Sequence, residues 1–266
     1  MSILSDSLDA SLLQQLLTTQ TFGRTLHVLT QTTSTNDVAK MLAQQGAPEG
    51  TVVLAEHQTQ GRGRQGRAFA SPRGVGIYLS LLLRPRVEAS RFPQLTLCVA
   101  VAVADALTEG GASPIDLKWP NDVCIHGKKV AGILTEGMLL PHVSPAVIIG
   151  IGINVNTTLG HLPPDLHTQV TSLALATGHF WPRPPLIALL LSHLERLYQA
   201  FQRIGIAPIL SQWLHYSRVV GRRAYFPQEH GTATGVVLGL DDDGALLVQD
   251  AAGQQHRIVS GGVILE

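Results

Sequence analysis

Gly61-Arg62-Gly63-Arg64-Gln65-Gly66-Arg67 places three glycines and three arginines in seven consecutive residues. The glycines let the backbone curl tightly and leave amide N–H groups open to a ligand. The arginines add fixed positive charge and planar donor forks suited to carboxylates and phosphates. Ordering such a loop alone is costly, because its cations repel and its glycines lose much entropy. A bound anion offsets both costs, which marks the loop as the centre of an anion-handling site; a solvated basic turn is the plain alternative. Gly61, Gly63 and Gly66 match G-x-G-x-x-G, but that dinucleotide fingerprint opens a helix. Here Ala68-Phe69-Ala70-Ser71-Pro72-Arg73-Gly74 follows, broken by proline and glycine. A Walker loop fails as well, since Arg67-Ala68 stands where Lys-Ser/Thr is required.

Outward from the loop, Thr51 to Glu56 and Gly76 to Leu83 read as buried strands on either side. Upstream lie a modest helix over Leu8 to Leu17, a strand near Arg24 to Leu29, and the polar Thr32-Thr33-Ser34-Thr35-Asn36-Asp37. Val38 to Ala43 is helical and stops at Gly46, and Ser34 with Asp37 has the spacing of a capping box. A helix start here also offers spare N–H donors to a polar ligand. Downstream, Phe92 to Leu107 suits a buried helix, and Ile115 to Trp119, Val130 to Thr135 and Ala146 to Ile153 suit strands. Pro185 to Phe201 carries an amphipathic stripe through Leu190, Leu194, Leu197 and Phe201, and a second helix is expected over Ala207 to His215. After Val219 the pattern changes to short strands (Arg223 to Phe226, Thr234 to Leu240, Ala245 to Asp250, His256 to Val259) with turns at Asp243-Gly244 and Ala252-Gly253. The expected division is therefore a domain over 1–218 and a small β-barrel over 219–266.

The 266 residues are 45% apolar, enough for one large core and a small appendage. Formal net charge is zero, with no basic tail, which weighs against broad nucleic-acid binding. Cys98 and Cys124 form no C-x-x-C pair, and His57, His126 and His142 have no metal-pair spacing. The N-terminus lacks a signal-peptide pattern, and the apolar run Leu95 to Ala104 is too short to cross a bilayer. A soluble cytoplasmic enzyme without membrane association is expected.

Two further places carry chemistry. Lys118 ends a strand and is followed by Trp119, Pro120, Asn121 and Asp122, which restrict the backbone and would hold its ammonium in place. A held cation near the arginine loop stabilises charge developing on a phosphoryl group; the alternative is a surface lysine paired with Asp122. Ile149-Gly150-Ile151-Gly152-Ile153-Asn154 is a strand with two glycines, which suggests close approach by a ligand or another backbone. Asn154 has a donor and an acceptor for a nucleobase edge, or simply ends the strand in a turn.

Taken together, Thr33-Ser34-Thr35-Asn36, Gln58 through Arg67, Lys118-Trp119-Pro120-Asn121-Asp122, Lys129-Val130-Ala131-Gly132-Ile133-Leu134 and Gly150 to Asn154 resemble the motifs of biotin protein ligases. The resemblance covers about residues 25 to 266. It implies an α+β fold: a central mixed β-sheet flanked by helices, as in class II aminoacyl-tRNA synthetases and lipoate ligases, with a small C-terminal Src-homology-3-like β-barrel. It implies activation of biotin by ATP with Mg²⁺ to biotinyl-5'-AMP, then transfer to a lysine of the biotin carboxyl carrier protein of acetyl-CoA carboxylase. By the same resemblance Ser34, Thr35, Asn36, Gln58, Gly61, Arg62, Gly63, Arg64 and Lys118 would hold biotin. Arg64, Arg67, Phe69, Lys118, Asn121 and Asn154 would hold ATP or the adenylate, with Lys118 and Arg64 catalytic. No separate metal cage is visible in the sequence. Phe69 departs from the family, which often has tryptophan there; phenylalanine lacks the N–H donor and has less area. Bifunctional relatives carry an N-terminal helix-turn-helix, for which the residues before Arg24 are too few. A monofunctional ligase without specific DNA binding is thus expected, with homodimerisation left open. A lipoate ligase, or a non-catalytic biotin- or nucleotide-binding regulator, is the competing reading.

Overall fold

The computed structural model describes residues 6–139, 145–228, 231–259 and 263–265. Its main sheet has seven strands: β1 (Leu26–Leu29), β2 (Val52–Ala55), β3 (Gly76–Leu83), β4 (Ile115–Lys118), β5 (Asp122–Ile125), β6 (Lys128–Met138) and β7 (Ala146–Asn154). Their spatial order is β1-β2-β3-β7-β6-β5-β4. The β1–β2 pair is parallel and the other pairs are antiparallel, so the sheet is mixed, as expected.

Strand periodicity assigns the two faces. Ile77, Leu79, Leu81 and Leu83 of β3, with Val147, Ile149, Ile151 and Ile153 of β7, point into the main core. That core is covered by α3 (Gln94–Glu109), α5 (Arg183–Ile204) and α6 (Ala207–Tyr216), with α1 (Ala10–Leu16) resting on α5. α3 is buried on nearly every side, which explains why its apolar residues form no single stripe. Leu190, Leu194, Leu197 and Phe201 of α5 are buried as their spacing indicates, each contributing about 1.5–3 kcal/mol by removal from water. On the opposite face Val53, Leu82 and Ile148 pack on Ala39 and Ala43 of α2 (Thr35–Gln44). The same face carries Ser80 and Gly150 under the first turn of α2, with Gly152 and Asn154 further along β7.

The N-terminal segment is fixed by charge. Arg183, almost fully buried, donates to Asp6 Oδ2 (2.9 Å), Glu56 Oε2 (2.7 Å) and the Gly76 carbonyl (3.2 Å). The buried Glu195 accepts from the backbone N–H groups of Gln20, Thr21 and Phe22 at 2.8, 2.6 and 2.9 Å.

The expected C-terminal barrel is present as a five-stranded antiparallel sheet. Its strands are β8 (Arg223–Gln228), β9 (Gly231–Leu240), β10 (Leu246–Asp250), β11 (Gln255–Ile258) and β12 (Ile264–Leu265), in the order β11-β10-β9-β8-β12. The β9–β10 turn docks on the main domain: Trp119 Nε1 donates to Gly244 O (3.1 Å) and Gln94 Nε2 to Asp243 Oδ1 (3.2 Å). Gly244, at φ 85°, lies against Leu97 with no room for a side chain.

Four elements differ from the sequence-based expectation. β5 follows the Pro120-Asn121 turn at once, and four residues headed by aspartate gave no strand pattern. α4 (Leu173–Thr177) and β12 are too short to show a period. β6 also runs on through Glu136 to Met138, because Glu136 finds polar partners on α2.

Candidate active site

The site begins where β1 and β2 run on past their ends. Thr32 N donates to His57 O (3.1 Å) and Thr59 N to Thr32 O (2.9 Å), which aligns the start of α2 with Gln58. The capping box expected from Ser34 and Asp37 is not made: Ser34 caps no amide with its side chain. Gln58 does so from across the cleft, its Oε1 accepting from Thr35 N (2.8 Å) and Thr35 Oγ1 (3.1 Å). Gln58 Nε2 donates to Ser71 Oγ (3.0 Å), which donates to Phe69 O (3.0 Å), so one amide ties α2 to the far side of the arginine loop. Beneath, Ser80 Oγ contacts Thr35 Oγ1 (2.7 Å) and Asn36 Oδ1 (2.5 Å). Asn36 Nδ2 donates to Glu136 Oε2 (2.6 Å), and Glu136 Oε1 pairs with Lys40 (2.5 Å). Such a partnered, partly buried network fixes one orientation of α2.

The arginine loop is a short hairpin with a single 3₁₀ turn at Arg64–Gly66, so the helix of a dinucleotide fingerprint is absent, as expected. Phe69 N donates to Gly61 O (2.8 Å) and Gly63 N to Arg67 O (2.7 Å). The tip turns through Gln65 (φ 56°) and Gly66 (φ 72°). Arg62 pairs with Asp37. Arg64 is half-buried, which lowers its pKa, and reaches Asn121 Oδ1 at 3.3 Å; Arg67 reaches Gln65 Oε1 at 3.3 Å.

Glycines floor the site. Gly132 of β6 and Gly152 of β7 are cross-strand partners, and Gly150 lies two residues earlier in β7. Asn36 occupies the space over Gly150, and the Phe69 ring lies over Gly152, where a methyl would come 2.5 Å from Phe69 Cε1. Alternation in Ile149 to Asn154 thus has a physical cause: isoleucines enter the core and glycines leave room above. Asn154, 3% exposed, donates from Nδ2 to Thr171 O (3.1 Å) while its Oδ1 has no partner.

A cavity of about 500 Å³ is lined by Ser34, Thr35, Asn36, Gln58, Arg62, Gly63, Arg64, Arg67, Phe69, Lys118, Asn121 and Asn154. Every residue that the resemblance assigns to biotin or ATP lines it except Gly61, which is buried against Phe69 O and Ser71 Oγ. Lys118 is exposed at the rim, and the Lys118–Asp122 ion pair considered above is not made. Asp122 pairs with Lys129 instead, Nζ to Oδ1 being 2.6 Å. Lys129 was not assigned a role from the sequence. Its ammonium lies over Gly132 beside the Phe69 ring, and its backbone is held by Gln169 O and Thr171 N, both at 2.8 Å. The signal for it was a lysine heading an apolar strand across a hairpin from Asp122. Leu162, Leu166 and residues 168–170 also line the cavity and were missed, because an irregular segment has no period to read. Among the described residues no group of three His, Cys, Asp or Glu side chains could hold a metal ion.

Residues 28–154 match the biotin/lipoate A/B protein ligase family, and residues 221–265 match the biotin protein ligase C-terminal domain. The bifunctional ligase/repressor BirA of Bacillus subtilis is 40% identical over 89% of this chain and 73% of its own length. A biotin–[acetyl-CoA-carboxylase] ligase of Paracoccus denitrificans is 35% identical over 86% of this chain and 95% of its own. Among solved structures, the Aquifex aeolicus biotin protein ligase in complex with biotin and ATP superposes with a TM-score of 0.78 at 31% identity. That match covers 91% of this chain and 99% of the other. The chain belongs to the biotin protein ligase family.

Proposed function

We propose that this chain joins biotin to ATP, forming biotinyl-5'-AMP and pyrophosphate, and then passes the biotinyl group to a lysine of the biotin carboxyl carrier protein of acetyl-CoA carboxylase. One observation carries the reading: the cavity changes character along β7. At Gly150 it is neutral and polar, under Asn36 and Thr35. At Gly152 it is flanked by the Phe69 ring and the Lys129 ammonium. At Asn154 it ends on an unpartnered carbonyl oxygen. Four residues of strand span about 13 Å, which suits a molecule with a polar head, an anionic middle and a base with an amino group.

In the first step a biotin carboxylate oxygen attacks the α-phosphorus, a C–O–P bond forms, and the bond to pyrophosphate breaks. Two anions must approach, and cations held in a partly dry site offset their repulsion. Lys129 and Arg64, which line the cavity, would do this with Lys118 at the rim, and Arg62 would border the bound adenylate. In the second step the acceptor amine attacks the carbonyl, AMP leaves with the C–O bonding pair, and the amine gives up its proton. Ser34, Thr35, Asn36 and Gln58 would orient the biotin head, and Asn154 Oδ1 would accept from the adenine amino group. Phe69 would cover the anhydride, and Asn121 and Arg67 would border the phosphates. Mg²⁺ would enter on ATP, and Asp122 and Asn121 of the cavity lining would offer it oxygen donors.

Relatives named biotin–[acetyl-CoA-carboxylase] ligase support the acceptor. Among the described residues no helix is long and apolar enough to cross a membrane, and the proposed use of ATP supports a cytoplasmic location. Zero net charge supports the absence of operator binding by these residues, which a footprint would check. The function is tested by pyrophosphate release with biotin and with lipoate as sole acid. Biotin-dependent release is expected; release with lipoate alone would assign a lipoate ligase, and none with either would leave a binding protein.

A further inference from the structure

Asp37 stands at the third position of α2, where a carboxylate ordinarily serves the free amides of the helix start. Here it is turned away, across the cleft, onto the Arg62 guanidinium. Arg62 lies in the stem of the arginine loop, bridged to Ala68, with the Gly61–Phe69 and Gly63–Arg67 backbone bonds on either side. Asp37 does not line the cavity, whereas Arg62 does. The opposite flank of the loop is tied by Arg64 to Asn121. Besides the Gln58 tie at its far side, the loop is therefore a strap fastened by its own side chains, to α2 through Arg62 and to the β4–β5 turn through Arg64.

These fastenings differ in kind. Arg64 is half-buried, and its bond is to a neutral amide. The Arg62–Asp37 pair has side-chain exposures of 37% and 41%, so it adds little to stability and is open to screening by salt. The guanidinium is held in its charged form mainly by the Asp37 bond, with Glu136 adding to the attraction. Glu136 itself is already engaged by Asn36 and Lys40. That leaves Asp37 as the carboxylate bonded to Arg62.

We propose that Asp37 is a positioning residue that acts through Arg62 to keep the arginine loop closed over the acyl-adenylate between the two half-reactions. This rests on the function proposed above. The pair sets how long the intermediate is retained rather than how fast it forms.

The test is a single turnover with biotin and ATP, without carrier, following loss of biotinyl-adenylate from the protein and labelling of serum albumin lysines. Asp37→Asn is expected to form the adenylate at the parent's rate and release it roughly five-fold faster, the scale of an exposed ion pair. Asp37→Glu should restore retention. Raising salt from about 0.1 to about 1 M shortens the screening length from about 10 to about 3 Å, and should speed release from the parent but not from Asp37→Asn. Amide exchange over 62–67 should quicken in Asp37→Asn while α2 stays protected. Equal release from parent and Asp37→Asn, or a parent indifferent to salt, would overturn the latch alone. A parent that forms no biotinyl-adenylate would overturn the proposed function with it. A parent indifferent to salt overturns the latch even if Asp37→Asn folds poorly.

Discussion

At the scale of the residue, the site is a set of cations over a floor without side chains. Lys129 is the cation nearest that floor, and Lys118 stands at the rim. Removing one preorganised charge donor at a reacting centre costs about 3–4 kcal/mol. Lys129→Ala and Lys118→Ala are therefore each expected to slow adenylate formation by roughly a hundredfold or more, with unchanged circular dichroism. Pyrophosphate release within twofold of the parent would remove that residue from the mechanism. Gly152 makes a different demand. Its neighbours leave no space for a methyl, because the Phe69 ring is already there. Gly152→Ala should expel the ring and raise the KM for both biotin and ATP, about tenfold for a loss near 1.4 kcal/mol, while Gly150→Ala collides with Asn36 and affects biotin alone. Equal effects of the two changes on both substrates would contradict the order of subsites along β7.

At the scale of the element, the arginine loop combines a self-bonded stem with a tip that bonds only weakly elsewhere. Its tip is expected to exchange amide hydrogens quickly without ligand and to be protected by biotin or the adenylate, since closure shields a mixed anhydride from water. Equal protection of residues 61–69 in both states would identify a rigid cradle instead. The loop, β3, α5 and the glycine strand were legible in the sequence because each has a local cause: glycine and charge density, a run of apolar residues, a helical stripe, alternation. Gln58 was legible as a site residue but not as the cap of α2, since its partner lies 23 positions away and no local spacing records it. Lys129 and Asp122 were hidden for a related reason. Their pairing depends on a hairpin whose first strand, β5, is too short to announce itself, and Asp122 looked equally suited to Lys118.

At the scale of the whole molecule, buried charge joins segments far apart in the chain. Arg183→Met would leave Glu56 and Asp6 facing each other without their shared cation, at a cost of about 3–5 kcal/mol. For a chain of this size that corresponds to a fall in Tm of roughly 10 °C, measurable by scanning calorimetry; a fall below about 3 °C would show that the segment repacks. The contact between Trp119 and Gly244 joins the two sheets at the residue next to Lys118. An indole emits at shorter wavelength in a dry, bonded setting than in water. The protein therefore carries an internal optical gauge, placed by its own fold at the seam between catalysis and the C-terminal sheet. A red shift that precedes the loss of helical signal on heating, and disappears in Trp119→Phe, would record the sheet lifting away while the main core is still intact.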